Sequence, residues 1–195
     1  MESVLDRVIK QNTENVNLLK TKDYNIFSVL QIQSKEVLIC RMIADLLNPR
    51  GQHGAGTEYL KIFLRDCLGM EKMDTKLADQ AIVTAEYAID DERRIDIVIE
   101  IGSYFLPIEV KIYAADQKSQ CFDYYQYAKR RDAQAKVYYL TLDGHRPGKD
   151  STSSGNRSVT EEDIVCLSFR EHILNWLKAC KNCGNTGMIP ILEQF

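Results

Sequence analysis

The first third of the chain has apolar residues spaced as in amphipathic helices. Residues 2–20 carry valines, isoleucines and leucines at such intervals and predict one broken helix or two short ones. Ser34 is a favourable N-cap for a helix that runs to Leu47, where the sequence Asn-Pro-Arg-Gly ends it. Thr57 is placed to cap the next helix, whose apolar stripe ends at Gly69. The N-terminal part is therefore predicted to be helical.

From about residue 80 the pattern changes to alternation of apolar and polar residues, which is typical of strands. Three strands, a helix, a fourth and central strand and a short fifth strand are predicted at residues 81–89, 94–101, 105–113, 116–131, 136–141 and 164–167. Residues 143–159 are rich in Gly, Ser and Asp and predict a long loop that is free to move. Ser168 and Glu171 then have capping-box spacing for a helix through Lys178.

This order of elements predicts an α/β domain with a mixed central β-sheet flanked by helices. A chain of 195 residues has the length of a single domain and can bury a sizeable core. We divide it into a helical N-terminal part at 1–78, an α/β core at 79–180 and a tail at 181–195. The tail begins another helix and then stops, as expected for a naturally short chain or for one cut from a larger protein.

Composition places the chain among soluble globular proteins. Charged residues make up 27% and hydrophobic residues 45%, and no apolar run approaches the ~20 residues of a membrane helix. The N-terminus lacks the basic-then-apolar order of a secretory signal. The six scattered cysteines are predicted to be reduced thiols, as expected for a cytoplasmic protein. For the lone pair Cys180 and Cys183, accidental spacing is favoured over metal binding.

Charged residues interrupt two predicted strands at positions where isoleucine and valine would otherwise continue. Asp96 lies opposite Ile95 and Ile97 on its strand, and Glu109 and Lys111 share one face of the next strand. Charged side chains are rarely buried among apolar ones unless they are paired or bind a metal. Two carboxylates and an ammonium that converge across the connecting turn would form a site for a hard divalent cation with a lysine beside it. Such a site is suited to the cleavage of phosphodiester bonds.

The arrangement of Asp96, twelve residues and the tripeptide Glu109–Lys111 resembles the motif of the PD-(D/E)XK nuclease superfamily, with an isoleucine at the proline position. The following predicted helix contains Gln120 and Tyr124, which resemble the Q-x-x-x-Y element of the RecB-like branch of that superfamily. A spacing of four residues puts both side chains on one face of the helix, where they can look back at the strand ends.

Segments upstream of the strands resemble the N-terminal region of an uncharacterised bacterial group in the same superfamily. These segments are Asn25–Leu30, Glu36, Leu46–Pro49 and His53–Gly54. The resemblance thus extends from about residue 25 to the strand near Tyr138. It implies a restriction-endonuclease-like core, which agrees with the order of the predicted elements.

The resemblance also implies roles for the candidate site residues. Asp96, Glu109 and the main-chain carbonyl of Val110 would bind Mg²⁺ or Mn²⁺ through oxygen. Lys111 would orient the attacking water or neutralise the transition state. The Gln–Tyr pair of the following helix would position the metal site or the scissile phosphate by hydrogen bonds.

Other candidates have both a functional and a structural interpretation, and the net charge of −3 is not that of a nonspecific nucleic-acid binder. Glu36 would be a metal ligand or a neighbour of the metal site, or would only complement the dipole of its helix. Arg93, Arg94 and His53 are candidates for substrate contact, with a plain loop histidine as the alternative for His53. Lys129, the first residue of a Lys-Arg-Arg run, would contact phosphate or stabilise the C-terminal end of its helix.

We therefore expect a Mg²⁺- or Mn²⁺-dependent endo- or exonuclease that hydrolyses DNA, of the kind that serves prokaryotic repair, restriction or phage defence. Nucleic acid is the expected partner and a membrane is not, while a homodimer or larger assembly is left open. A non-catalytic binding module on a nuclease fold is one alternative. A hydrolase that uses its carboxylate pair on a small substrate is another. Asp96 with Arg94 or Lys111 would also suit a purely structural ion pair.

Overall fold

A computed structural model gives the structure of the protein, and it describes residues 25–32, 35–71, 73–183 and 185–195. The predicted helices at 2–20 and the predicted N-cap Ser34 lie outside these ranges. The helices are α1 (Ile26–Val29), α2 (Glu36–Leu47), α3 (Glu58–Asp66), α4 (Thr75–Asp79), α5 (Gln120–Arg131), α6 (Lys149–Thr152), α7 (Leu174–Cys180) and α8 (Ile189–Gln194). The strands are β1 (Ile82–Ala88), β2 (Arg94–Ile101), β3 (Tyr104–Lys111), β4 (Val137–Thr141), β5 (Ser153–Ser154), β6 (Arg157–Ser158) and β7 (Ile164–Ser168).

The five longer strands form one mixed sheet in the order β1-β2-β3-β4-β7. β1, β2 and β3 pair antiparallel, whereas β3, β4 and β7 run parallel to one another. The predicted α/β fold with a mixed central sheet is therefore confirmed. The central strand is β3 rather than β4, because β7 adds only one strand beyond β4.

Helices cover both faces of this sheet. On one face, α2, α3 and α7 enclose the larger core, which includes Ile43, Leu60, Trp176 and the inward-facing residues of β2 and β3. On the other face, α5 packs over two smaller apolar clusters. No helix in the described part of the chain has the length and apolarity to span a membrane, and all six cysteines are free thiols.

The alternation of side chains along β2 breaks next to Asp96. Ile97 faces the larger core as predicted, but Ile95 packs in the cluster beneath α5, so the prediction that the two share a face is wrong. On the neighbouring strand, Glu86 has a φ of +54°, a left-handed conformation that is costly for a residue with a side chain. The pairing of β1 with β2 has no bridge at this point, and the pairing of β2 with β3 ends at Ile97 and Ile108. The sheet is thus distorted and begins to part beside Asp96.

The predicted loop at 143–159 instead contains α6 and the small hairpin β5–β6. Asp116 anchors it, since its carboxylate accepts a hydrogen bond of 2.7 Å from the main-chain N–H of Gly148 and another of 2.7 Å from the hydroxyl of Tyr139. The hydroxyl of Ser119, just before α5, donates to the main chain of β5. These contacts join the segment to the start of α5.

The capping box before α7 is only half formed. The hydroxyl of Ser168 accepts a hydrogen bond of 3.3 Å from the N–H of Glu171, as predicted. The reciprocal bond differs, because the N–H of Ser168 donates to Nδ1 of His172 at 3.1 Å. The chain forms a π-helical turn at Phe169–Ile173 before α7 begins. This wider turn brings the residue after Glu171 back toward Ser168.

Truncation of Leu60 tests the position of the core. Its side chain has 0% exposure, so Leu60→Ala should lower the free energy of unfolding by about 2–5 kcal/mol, because a cavity is left. Ile82 at the edge of the sheet is 54% exposed, and Ile82→Ala should change it by about 0.5 kcal/mol or less. Denaturation followed by the emission of Trp176, the single tryptophan, measures both. Equal losses in the two variants would contradict this core.

Candidate active site

Glu109 and Lys111 form a buried ion pair on the face of β3 that α5 covers. They alternate with Ile108 and Val110, which belong to the larger core on the opposite face. Nζ of Lys111 lies 2.5 Å from Oε1 of Glu109, and the two side chains are 10% and 1% exposed. The sequence had placed both charges on one strand face, and the structure shows that this face is inside the protein.

The carboxylate of Glu109 has too few partners for its burial. Neither of its oxygens accepts a well-aligned hydrogen bond from the described residues, and the ammonium of Lys111, 2.5 Å from Oε1, offsets its charge. Burial, followed by the charge of Asp96, raises the pKa of Glu109 well above its usual value, although Lys111 opposes the shift. A buried carboxylate without donors is unfavourable. Its oxygens therefore suit a further positive ligand.

Asp96 spans the gap where β2 and β3 part. Its Oδ2 accepts a hydrogen bond of 2.8 Å from the N–H of Val110. Burial raises the pKa of Asp96, whereas this hydrogen bond and the charge of Lys111 oppose the rise. The N–H and C=O of a strand residue point to the same edge, so the Val110 carbonyl also points toward the edge that Asp96 lines. The structure thus brings Asp96, Glu109, Lys111 and this carbonyl together.

Glu36, the first residue of α2, reaches the end of β3. Its Oε1 accepts hydrogen bonds from the main-chain N–H groups of Ile112, Tyr113 and Ala114 at 2.6, 2.6 and 3.1 Å. Burial opposes the ionised form, but these bonds and the charge of Lys111 leave the pKa of Glu36 below its usual value. Glu36 is therefore more than a complement to the dipole of its helix. The sequence did not predict this interaction, because its three donors are main-chain N–H groups and no side-chain motif marks them.

Gln120 and Tyr124 lie buried on the inner face of α5. Nε2 of Gln120 donates to the hydroxyl of Tyr124 at 3.1 Å, and this hydroxyl donates to the main-chain carbonyl of Arg94. Burial, followed by the charge of Glu109, raises the pKa of Tyr124. The pair therefore lies beside the carboxylates and fastens the start of β2, two residues before Asp96.

The donor atoms of this site fit Mg²⁺ or Mn²⁺, which bind oxygen ligands. Within the described ranges, no three His, Cys, Asp or Glu side chains are already grouped as a metal-binding cluster. The fit rests on the unbonded oxygens of Glu109, the carboxylate of Asp96 and the carbonyl of Val110. Oε1 of Glu36 is occupied by three N–H groups, which makes Glu36 a neighbour of this set.

His53, predicted as a candidate for substrate contact, has a structural environment instead. Its side chain is buried and its ring stacks on Tyr59 with the centroids 4.7 Å apart. Nε2 lies 2.9 Å from the carbonyl of Asn48, and Nδ1 accepts from the N–H of Ala55 at 3.0 Å. Both ring nitrogens are used by the main chain of its own loop. The geometry therefore favours the loop role over substrate contact.

The two arginines at the start of β2 differ in whether internal partners hold their side chains. The guanidinium of Arg93 donates to the side chains of Asp123 and Gln117 and to the carbonyl of Lys118, so it fixes the approach to α5. The side chain of Arg94 is exposed and makes no hydrogen bond or ion pair with the described residues. Of the two, Arg94 has the geometry for contact with a substrate.

Lys129 is held at the C-terminal end of α5. Its Nζ donates to the carbonyl of Ala133 at 3.1 Å, lies 3.6 Å from Asp163 and sits over the ring of Tyr125 at 5.2 Å. This agrees with the interpretation that the lysine stabilises its helix end. The geometry gives no separate support for phosphate contact by Lys129.

Comparison with known proteins gives one match. A family model described as the PD-(D/E)XK nuclease superfamily matches residues 24–189. No curated protein and no solved structure matches the chain. The matched range includes all the residues of the candidate site. It does not distinguish the branches of the superfamily.

Replacement of Asp96 tests the electrostatic strain in this site. Because the pKa values of Asp96 and Glu109 are raised in the folded state, their protonated forms favour folding. That contribution is complete below the ordinary carboxyl pKa of about 4 and is lost as the pH rises through the folded-state values. Asp96→Asn keeps an acceptor for the Val110 N–H but removes one charge. It should therefore unfold at a higher temperature than the wild type near neutral pH without metal, with a smaller difference in acid.

Thermal unfolding in EDTA at several pH values measures this difference. Asp91 is exposed and has no side-chain partner among the described residues, so Asp91→Asn is the matched control and should follow the wild type. A gain of about 1 kcal/mol corresponds to a shift of roughly 2–4 °C for a chain of this size. Parallel curves for Asp96→Asn and the wild type would show that the carboxylates do not repel each other.

Proposed function

We propose that this chain, which belongs to the PD-(D/E)XK nuclease superfamily, is a Mg²⁺- or Mn²⁺-dependent nuclease that hydrolyses DNA. The family supports phosphodiester cleavage of nucleic acid. Three finer statements are part of the proposal: the DNA substrate, the requirement for a divalent metal, and membership of the RecB-like branch. A role in prokaryotic repair, restriction or phage defence is proposed with them.

The observation that carries the proposal is the state of the Glu109 carboxylate. It is 1% exposed and lies beside Asp96, and neither of its oxygens accepts a well-aligned hydrogen bond from the described residues, although the ammonium of Lys111 is 2.5 Å from Oε1. A purely structural ion pair would satisfy its oxygens with hydrogen bonds, because unsatisfied buried charge is destabilising. A cation bound there would offset the repulsion between Glu109 and Asp96. It would also coordinate the carboxylate oxygens that lack an aligned hydrogen bond.

Asp96, Glu109 and the carbonyl of Val110 would hold the ion, with Glu36 beside them. When bound, Mg²⁺ or Mn²⁺ lowers the pKa of a water ligand and polarises a phosphoryl oxygen. Asp96 is positioned for this by the N–H of Val110. Its strand is positioned by the Tyr124 hydroxyl on the Arg94 carbonyl.

Lys111 would act as a cation rather than as a base. Burial works against its charge, but the carboxylate of Glu109 raises the pKa of Lys111 above its usual value, so the ammonium stays protonated at neutral pH. An ammonium at this point can donate to the attacking water or to a non-bridging phosphoryl oxygen. It would thereby stabilise negative charge that develops in the transition state.

Incubation of the wild-type protein with single- and double-stranded DNA and RNA tests the proposal directly. Each substrate is combined with Mn²⁺, Mg²⁺ or EDTA, and the expected outcome is cleavage of DNA with a divalent metal but not with EDTA. Binding without cleavage under every metal condition would favour the alternative of a catalytically silent nucleic-acid-binding module.

Metal binding should be visible without catalysis. Titration of Mg²⁺ or Mn²⁺ should raise the unfolding temperature of the wild type, because an ion that binds only the folded state stabilises it. Asp96→Asn and Glu109→Gln should each abolish this rise. Glu100 lies on the same strand as Asp96 and pairs with Arg131, so Glu100→Gln is the control and should keep the response. A rise that persists in both site variants would place the ion elsewhere.

Lys111→Ala should separate chemistry from metal binding. Loss of one well-placed electrostatic group costs about 10²–10³-fold in rate, and a role in orienting water would add to that, while the metal-induced thermal shift should remain. Lys111→Arg should restore little activity, because a planar guanidinium does not replace a compact ammonium. Lys136 is exposed just before β4, and Lys136→Ala should cleave normally. Unchanged cleavage by Lys111→Ala would remove this residue from the mechanism.

A further inference from the structure

The most exposed large hydrophobic side chain in the described part of the chain lies next to the candidate site. Tyr113 is 65% exposed and follows Lys111 by two residues. Its own N–H is one of the three that hold the carboxylate of Glu36. Two residues of chain span at most about 7 Å. The backbone of Tyr113 is therefore held close to the end of β3 and to Lys111, although neither the candidate metal ligands nor Lys111 needs its aromatic ring.

Tyr113 lines two apolar depressions. One is a groove that it forms with the exposed side chains of Leu30, Val37 and Leu38, and Lys35 also lines this groove. The other is a cavity of about 530 Å³ that residues of α8 also line. An exposed apolar surface of this kind beside a reactive site indicates a binding surface.

Charge complementarity narrows the choice of occupant. The net charge of −3 is not that of a protein that binds nucleic acid through phosphate contacts alone. Arg93 and Lys129 are also held by internal partners. In an intact duplex the faces of the bases are stacked and out of reach. An unpaired base offers its face to an aromatic ring, and such stacking does not depend on positive charge. The cation at the groove, Lys35, remains available for an adjoining phosphate.

We propose that Tyr113 stacks on an unpaired base of the nucleic-acid strand whose phosphate lies at Lys111, and that the protein therefore prefers single strands or frayed ends to intact duplex. This inference rests on the proposed function and names the form of its substrate. The apolar groove beside Tyr113 receives the base, and its occupant is a nucleobase rather than a second copy of the chain.

The test measures strand affinity by fluorescence anisotropy in EDTA, where no cleavage is expected. The probes are a short labelled single-stranded DNA, the same strand with abasic sites in place of bases, and its blunt duplex. Tyr113→Ala should weaken binding of the normal strand by about 5- to 150-fold, the worth of one base–aromatic stack. It should change binding of the abasic strand and the duplex little. Tyr113→Phe keeps the ring and should bind like the wild type.

Tyr104 provides a matched control, since it is 42% exposed at the opposite end of the same strand, and Tyr104→Ala should bind every probe normally. Equal affinity of Tyr113→Ala and the wild type for the normal strand overturns the inference. An equal loss on the normal and abasic strands also overturns it, as does a loss only of self-association. Cleavage by the wild type is assayed separately. If the wild type cleaves nucleic acid but Tyr113→Ala binds the normal strand as well as the wild type does, this inference is refuted and the proposed function is not.

Discussion

A carboxylate inside an apolar sheet is destabilising unless positive charge and hydrogen-bond donors surround it. Glu109 has the close ammonium of Lys111 but no well-aligned hydrogen bond from the described residues, and Asp96 adds negative charge beside it. The described site therefore holds unfavourable electrostatic energy in the folded protein. Binding of a cation would relieve that energy, and the same linkage would then make the folded protein less stable without the cation than with it.

The three carboxylates of the site differ in the number of main-chain N–H groups that donate to them. Where β2 leaves β3, the N–H of Val110 is taken by Asp96, and the three N–H groups after β3 are taken by Glu36. These donors favour ionisation, which keeps the pKa of Glu36 low and restrains the rise at Asp96. Glu109 receives no such donor. The parting of β2 from β3 and the end of β3 thus place main-chain donors at Asp96 and Glu36, whereas Glu109 has none.

Local pattern was enough to predict the elements that carry this site. Alternation identified three strands, and the spacing of four between Gln120 and Tyr124 placed both on the inner face of α5, as the structure shows. Partners distant in sequence were not predictable. From the sequence Arg93 is a free cation, but in the structure it donates a hydrogen bond to Asp123. The 143–159 segment is a loop by its composition, but Asp116 anchors it in the structure. In each case the deciding hydrogen bond joins residues whose proximity exists only after folding.

The distribution of positive charge sets a limit on how this surface can hold a nucleic acid. Several cations are neutralised within the molecule by the pairs Arg41–Glu86, Arg93–Asp123, Lys129–Asp163 and Arg131–Glu100. Other exposed cations have no acidic partner among the described residues, among them Lys35, Arg94, Lys118, Arg130, Arg157 and Arg170. Phosphate contacts made by these cations would release counterions, and that part of the binding would weaken as the salt concentration rises. The proposed stacking of a base on Tyr113, together with a phosphate at the candidate metal site, would add contacts at the end of β3 that do not depend on the remaining surface charge.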